Sequence, residues 1–285
     1  ITPGCPGLYS PKHEAGWKRL VDFVHAETHA KICCQIGHSG RKGSTQLGWE
    51  EADAPLKSGN WPLLSASALK WSPRNWLPKA MDRGDMDVVL RQHVKAAEMA
   101  AEAGFDMIEL HAAHGYLLSS FISPLSNTRD DEYGGSLENR ARLLFEVLTA
   151  VTQAIGSERV GLRLSPLNSF NSMKDSDPLA LIGFLADKLN AFKLAYLHVM
   201  RADFFGVQKA DVMPVAREKY KGVLVGNMGY SADEAEAAIA EGKLDAVAFG
   251  TAFLANPDLP ARIRAKAPLN APDSNTFYAG GAKGY

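Results

Sequence analysis

The chain has 285 residues, of which 46% are hydrophobic and 22% are charged, a balance typical of globular domains that excludes disorder as the main state. Its 31 basic and 32 acidic side chains leave a net charge of -1, so no overall field favours nucleic acid or an anionic membrane surface. The three cysteines, Cys5, Cys33 and Cys34, form no C-x-x-C pair and predict neither a disulfide framework nor a metal site. Because it has no apolar run of about 18 residues and no signal-peptide pattern, the sequence predicts a cytoplasmic protein.

Short apolar runs recur along the chain, and a segment of helical period follows each of them. The runs are near-continuously hydrophobic rather than alternating, which predicts strands buried on both faces of a parallel sheet. They are 31–37 (KICCQIG), 106–110 (DMIEL), 160–164 (VGLRL), 195–200 (AYLHVM), 222–225 (GVLV) and 246–249 (AVAF).

Capping residues mark where several helices begin. Ser136 precedes a long amphipathic segment, and Asp177 with Pro178 places proline in a first helical turn. Ser231 followed by Glu234 has the spacing of a capping box before an alanine-rich run. The sequence therefore predicts alternating strands and helices.

This alternation predicts an α/β protein. No G-x-G-x-x-G motif follows any of the predicted strands, so a parallel barrel is favoured over a doubly wound dinucleotide-binding sheet. Barrels of this kind place their chemistry on the loops that leave the carboxyl ends of the strands. Two of those loops, 38–82 and 112–135, are long, as functional loops often are.

The run 106–110 leads directly into His111, His114 and Tyr116. An imidazole N–H can donate to a substrate oxygen, and a phenol can protonate a developing carbanion, so the cluster suits activation of a carbonyl compound. A metal site is disfavoured, because H-x-x-H in a loop lacks a third ligand and helical geometry. A purely structural role, in which these groups satisfy loop backbone, remains an alternative.

Further polar residues lie within or just after the other predicted strands. Gln35 lies on the first, Arg163 on the third, and His198 and Arg201 around the fourth. A buried arginine needs an anionic partner, which can be a structural carboxylate or a bound ligand. Glycines that follow the last two strands can let backbone approach a phosphate. These two strand ends carry Gly226, Asn227, Gly250 and Thr251.

Together these segments resemble the Old Yellow Enzyme family of FMN-dependent ene-reductases. The most specific stretch is 111–140, HAAHGYLLSSFISPLSNTRDDEYGGSLENR. The resemblance continues through QIGHSGRK, RLSP, VGNMGY, FGTAFLANPDLP and PLNAPDSNTFYAGGAKGY, and so covers nearly the whole chain. It implies a single (β/α)8 TIM-barrel domain over 1–285 that binds FMN and takes its electrons from NADPH or NADH.

The resemblance also implies roles at the substrate. His111 and His114 would hydrogen-bond the carbonyl or nitro oxygen of an activated alkene. Tyr116 would donate a proton to the α-carbon while reduced flavin passes a hydride to the β-carbon. Tyr278 would lie near the entrance of the site. The expected partner is thus a small-molecule substrate, and assembly into a homo-oligomer is left open.

For the cofactor, the resemblance implies that Gln35 contacts the flavin pyrimidine edge and that Arg163 lies at the N1/C2 carbonyl region. The family usually has arginine where this sequence has Thr251, which removes one charge-assisted phosphate contact. The positions that match phosphate contacts are Gly226, Asn227, Gly250 and Thr251.

The chain also differs from the family pattern. The family barrel has two further strands before the first one here, so the sequence predicts a domain lacking its N-terminal one or two βα units. The first half resembles the bacterial H-x-x-H branch and the second half the H-x-x-N branch, which keeps open a recombined origin. Two other functions stay open: the oxidoreductase module of an aryl-CoA (salicylyl-CoA-like) degradation enzyme, and a flavin-free barrel fragment.

Overall fold

A curled parallel sheet forms the centre of the computed structural model, which describes residues 1–277 and 281–283. The strands of that described part are β1 (Cys33–Ile36), β2 (Leu64–Ser65), β3 (Lys79–Ala80), β4 (Met107–Ala112), β5 (Val160–Leu164), β6 (Tyr196–Met200), β7 (Leu224–Asn227) and β8 (Ala246–Ala248). The main sheet has the order β1-β4-β5-β6-β7-β8, and all of its pairs are parallel. Strands β2 and β3 form a separate parallel pair in the first long loop.

Helices separate the strands of the main sheet, as expected for an α/β barrel. They are α1 (Pro11–Glu27), α2 (Arg83–Glu102), α3 (Leu117–Ile122), α4 (Leu137–Ile155), α5 (Pro178–Leu189), α6 (Met213–Lys219), α7 (Ala232–Ala240), α8 (Thr251–Ala255) and α9 (Leu259–Ala265). In the part of the chain described by the structure, none of these helices is long and apolar enough to cross a membrane.

Each of the six predicted apolar runs overlaps one strand of the main sheet, which confirms the predicted alternation. Two strands extend past their predicted ends. Strand β4 continues to Ala112 because His111 and Ala112 pair with residues of β5, and β7 continues to Asn227, which pairs with Met200 of β6. His111 and Asn227 therefore lie on strands rather than in the loops that follow them.

The main sheet has one face against the helices and one face turned to the barrel interior. On β1, Cys34 and Ile36 join the hydrophobic core, whereas Gln35 points to the other side. The register places Gln35 beside Glu109, and it places His111, Arg163 and His198 on neighbouring strands. Because neighbours in register share a face, these polar side chains converge on the interior. On this face Gln35 and His198 both contact the Glu109 carboxylate.

The predicted helix starts are confirmed by their caps. Ser136 accepts the N–H of Asn139, and Ser231 accepts the N–H of Glu234 at 3.1 Å. Before α5, Asp177 accepts the N–H of Ala180 at 2.9 Å. A side-chain oxygen at this position satisfies one of the orphan donors of a first turn. These caps fix where each helix leaves the loops that surround the candidate site.

Candidate active site

Three aromatic side chains meet at the carboxyl end of β4. The rings of His111 and His114 stack with centroids 5.3 Å apart and an angle of 23° between their planes. The ring of Tyr116 lies 5.4 Å from that of His111. His111 lies on the strand, whereas Tyr116 is the N-cap residue of α3. The structure thus brings together the predicted substrate-binding and proton-donating side chains.

The turn between β4 and α3 has an unusual backbone that the loop after β5 supports. His114 and Gly115 have φ angles of +58° and +77°, in the left-handed region. The N–H of His114 donates to Ser165 Oγ at 2.9 Å, and Asn171 Nδ2 donates to the His114 carbonyl at 2.8 Å. A Cβ at Gly115 would come within 2.6 Å of Met173, so only glycine fits here. The turn is therefore held by contacts on both of its sides.

Both histidines are neutral near pH 7. Burial, together with the neighbouring His114 and the positive charge of Arg163, lowers the pKa of His111 to about 3. Burial and Arg163 also lower the pKa of His114 to about 4. A neutral imidazole has one N–H donor and one acceptor nitrogen. The pair can therefore donate hydrogen bonds to a substrate oxygen without carrying charge into the site.

The contacts of His114 indicate which nitrogen carries its proton. Its Nδ1 lies 3.4 Å from His111 Nε2, and its Nε2 lies 3.1 Å from the sulfur of Met200. A thioether sulfur can only accept, and it does so weakly. We therefore place the proton on His114 Nε2, an assignment made from the hydrogen-bond network.

A buried carboxylate lies in the barrel interior, and the sequence analysis gave it no role. Glu109 Oε1 accepts from Gln35 Nε2 at 2.6 Å, and Glu109 Oε2 lies 2.9 Å from His198 Nδ1. Burial alone would raise the pKa of Glu109, but the contacts with His198, Gln35 and Arg163 outweigh it, and the pKa is lowered. A charged residue within the apolar run DMIEL was the sequence signal for this cluster.

Several buried polar atoms on the interior face have no hydrogen-bond partner among the described residues. Arg163 Nε and Asn227 Oδ1 are two of them. No ion pair engages Arg163 in the described part of the chain, and burial lowers the pKa of its guanidinium. Orphaned buried polar groups cost free energy unless a ligand or water satisfies them. An unpaired cation needs an acceptor or an anion, and an unpaired amide oxygen needs an N–H or O–H donor; FMN carries both kinds of group.

The predicted phosphate positions differ in their exposure. Gly226 is buried, and a Cβ there would approach Leu244 within 2.7 Å, so packing explains this glycine. Gly250 and Thr251 are exposed, and a Cβ at Gly250 would meet nothing within 4 Å. Open space beside Gly250 is compatible with a close approach of ligand to the backbone. Tyr278 lies outside the described residues.

Arg201 holds the loop that follows β7, a role that the sequence did not predict. Its Nε and Nη2 donate to the carbonyls of Met228 and Gly229 at 2.8 Å, and its guanidinium lies 3.6 Å from the centroid of the Tyr230 ring. Arg201 also pairs with Glu234 in the first turn of α7. The Glu234 carboxylate is therefore turned to Arg201 and does not form the second bond of a capping box with Ser231. The backbone after Asn227 is therefore fixed by a neighbouring strand.

The barrel architecture, the interior polar face and the neutral histidine pair define a flavin-dependent oxidoreductase. The chain belongs to the NADH:flavin oxidoreductase / NADH oxidase family, whose sequence model it matches over residues 1–270. It is 44% identical over 286 residues to a probable flavin mononucleotide-dependent alkene reductase from Leishmania infantum, a match that covers 98% of this chain and 77% of the relative. It is 35% identical to 12-oxophytodienoate reductase 2 from Arabidopsis thaliana, with coverage of 97% and 75%.

Solved structures agree with this family. The old yellow enzyme from Trypanosoma cruzi superposes with a TM-score of 0.90 at 36% identity, over 98% of this chain and 79% of that protein. Morphinone reductase gives a TM-score of 0.89 at 36% identity, over 98% and 77%. The predicted resemblance is confirmed, and so is the barrel fold in partial form, with six parallel strands in the main sheet of the described residues. So is the predicted class of enzyme: an ene-reductase that uses FMN and NADPH or NADH.

Proposed function

We propose that His111, His114 and Tyr116 carry out the substrate chemistry of this ene-reductase. His111 and His114 bind the oxygen of the carbonyl or nitro group that activates the alkene. Tyr116 donates the proton that completes reduction of the double bond. The observation that supports these roles is the cluster of three rings, 5.3 and 5.4 Å apart, at the end of β4. Bound FMN supplies the hydride for the alkene.

The neutral state of the histidines favours this assignment. Their lowered pKa values keep them as uncharged donors near pH 7, so a substrate oxygen gains hydrogen bonds without a fixed positive charge beside it. His114 Nε2 already points its proton at the weak acceptor Met200, and a carbonyl or nitro oxygen is the stronger acceptor. The substrate class that fits is therefore a small α,β-unsaturated carbonyl or nitro compound.

We further propose that the interior polar residues hold FMN. Arg163 would stabilise negative charge on the flavin ring, with Gln35 oriented beside it by Glu109, because Gln35 Nε2 donates to that carboxylate. The unpaired Oδ1 of Asn227 would accept a hydrogen bond from the cofactor. The remaining proposals concern the phosphate and the substrate. The phosphate would be contacted by Gly226, Gly250 and Thr251, and Tyr278 would lie near the entrance of the substrate site.

A two-stage spectroscopic experiment tests the substrate roles. The FMN-loaded protein is reduced anaerobically with NADPH, then mixed with 2-cyclohexenone while the flavin absorbance is followed. Replacing Tyr116→Phe should slow reoxidation by the enone about 10²- to 10⁴-fold, the usual worth of a positioned proton donor, and leave reduction by NADPH unchanged. Equal slowing of both stages would contradict the assigned role of Tyr116.

The cofactor roles need a separate measurement. Arg163→Met should weaken FMN binding by roughly 10- to 100-fold, the worth of one charge-assisted contact, measured by quenching of FMN fluorescence. Arg91, an exposed residue of α2, gives the control variant Arg91→Met. If both variants bind FMN as tightly as the parent protein, Arg163 does not contact the cofactor.

We also propose a cytoplasmic location. The cysteines Cys5, Cys33 and Cys34 are all free thiols, as in proteins of reducing compartments. Fractionation of source cells tests the location.

Nucleic acid is not an expected partner at a net charge of -1. The homo-oligomer stays a prediction that light scattering can test.

A further inference from the structure

Arg41 is a buried cation that the reaction does not use directly. It lies in the first long loop, in a single 3-10 turn over Gly40–Lys42, and only 3% of its surface is exposed. Burial lowers the pKa of its guanidinium, and none of the ion pairs among the described residues involves it. Burying a guanidinium without an anionic partner is costly, so we asked which groups the Arg41 side chain contacts.

Those contacts are made almost entirely to backbone carbonyls, one in the same long loop and two in the loop that follows β5. Arg41 Nη1 donates to the carbonyl of Leu69 at 3.4 Å, and Nη2 donates to the carbonyls of Asn171 and Ser172 at 3.4 and 3.3 Å. Nη2 also lies 3.4 Å from the sulfur of Met173. The guanidinium therefore holds the segment 171–173, which follows β5.

The segment 171–173 has a backbone that needs such support. Asn171 and Ser172 have φ angles of +59° and +55°, so two successive residues other than glycine are left-handed. Each such residue costs about 1–2 kcal/mol. A cation bound to both of their carbonyls stabilises this conformation relative to the ordinary right-handed one.

The same segment contacts the turn that carries His114 and Tyr116. Asn171 Nδ2 donates to the His114 carbonyl at 2.8 Å. Met173 packs so closely on Gly115 that a Cβ there would lie 2.6 Å from it. A chain of direct contacts thus runs from Arg41 through 171–173 to the backbone on either side of the peptide between His114 and Gly115.

The loop that contains Arg41 also contacts the far end of the turn between β4 and α3 directly. The carbonyl of His38 accepts the N–H of Leu117 at 3.0 Å, and a Cβ at Gly40 would lie 2.8 Å from the same nitrogen. Leu117 is the first residue of α3, directly after Tyr116. The loop of Arg41 therefore borders the proton-donor turn on two sides.

We propose that Arg41 is a positioning residue for proton transfer. By fixing 171–173, it holds the His114 peptide and, through the short turn, sets where the Tyr116 phenol lies relative to the bound alkene. This inference rests on the roles proposed above for His114 and Tyr116. Small misplacements of a reacting group are enough to matter, because a shift of about 1 Å can cost about 10²-fold in rate.

The neighbouring residue supplies a matched control. Lys42 lies on the same turn and is equally buried at 3% exposure, but its ammonium pairs with Asp53 and lies 4.4 Å from the centroid of the Trp71 ring. No hydrogen bond or ion pair between described residues joins its ammonium to 171–173. Arg41→Met and Lys42→Met each remove one buried cation from this turn, and only the first should disturb the link to His114.

The experiment compares these variants with Tyr116→Phe in the two-stage assay on FMN-loaded protein. Arg41→Met should slow reoxidation by 2-cyclohexenone about 10²-fold, with an increased solvent deuterium isotope effect, while reduction by NADPH keeps its rate. Lys42→Met should change neither stage. If Tyr116→Phe slows reoxidation but Arg41→Met behaves like Lys42→Met, the inference about Arg41 is overturned and the proposed function stands. If Tyr116→Phe has no effect, both are overturned.

Asn171→Gly keeps the test decisive if Arg41→Met does not fold. Glycine accepts the left-handed backbone but lacks the amide that binds the His114 carbonyl. This variant should also slow reoxidation selectively, and an unchanged rate overturns the inference. Where all proteins fold, the double variant that combines Arg41→Met with Asn171→Gly should be reoxidised no more slowly than the slower single variant. Both changes break the same link. Additive losses would show that Arg41 acts elsewhere.

Discussion

The two ends of the candidate site differ in how firmly the protein itself holds them. At the proposed substrate end, the backbone of His114 is bonded on both sides, by Ser165 and by Asn171, and His111 is buried. At the proposed phosphate end, Gly250 and Thr251 are exposed at the start of α8, and a Cβ at Gly250 would have open space around it. The two ends follow β4 and β8, four places apart in one sheet, and only the first of them is rigidly built.

This difference follows from what each end has to do. A proton donor works only if it is placed in advance of the reaction, so its supports must come from the protein. A phosphate brings its own charge and acceptors, and its binding energy can order the groups that receive it. Changes at the first end should therefore reduce rates, and changes at the second should alter retention of the cofactor.

Two glycine substitutions give the largest expected contrast. Gly40→Ala puts a Cβ 2.8 Å from Leu117 N at a φ of +59°, and left-handed strain with overpacking should cost roughly 2–5 kcal/mol of unfolding free energy. Gly250→Ala has a φ of -104° and free space, so we expect a change within about 0.5 kcal/mol. Urea unfolding of both apo proteins measures the difference, and similar values would show that the two ends are equally rigid.

The next largest effect should come from adding charge at the phosphate end. Thr251→Arg supplies the side chain that the family usually has there, and we expect FMN to bind about 10- to 100-fold more tightly through a charge-assisted contact. Thr251 is exposed, so the apo protein should keep its stability. Thr251→Gln is a neutral control of similar reach. An equal gain in FMN affinity with glutamine would argue against an electrostatic origin.

A smaller effect is expected from pH at the substrate end. Burial lowers the pKa of His111 from 6.5 to about 3, so the unfolded chain takes up a proton below about pH 6.5 and the folded chain does not. Stability is therefore full above pH 6.5 and falls as the pH is lowered towards 3. Between pH 7 and 5 the apo protein should lose about 1–2 kcal/mol more than His111→Asn. Parallel losses in urea unfolding would mean that His111 is not held neutral by the fold.

The strands, the helix caps and the three rings were predictable because each has a local signal. Continuous apolar runs mark buried parallel strands, and Ser136, Asp177 and Ser231 are typical capping residues. The pair β2–β3 was not predicted, because strands of two residues have no periodicity to detect.

Contacts between distant parts of the chain could not be derived from the sequence. The bonds from Arg41 to Asn171 and Ser172 cross about 130 residues, and they depend on left-handed backbone that no glycine marks. The partner of Arg163 was left open between a carboxylate and a ligand. Glu109 lies near enough to act on the pKa of Arg163 but forms its hydrogen bonds with Gln35 and His198. Residues that support a site from another loop leave no pattern in their own sequence.

The sulfur of Met200 is a weak hydrogen-bond acceptor for His114, and a substrate oxygen can replace it. It receives the Nε2 proton of His114 at 3.1 Å, so this proton is oriented before any substrate arrives. A thioether is easily displaced by an oxygen, which regains at once the hydrogen bond that sulfur gives up. An alkene without a polar activating group would displace nothing and gain nothing. With His114 in its proposed role, Met200 would thereby help the enzyme discriminate between alkenes by the oxygen that they carry, before any bond is made or broken.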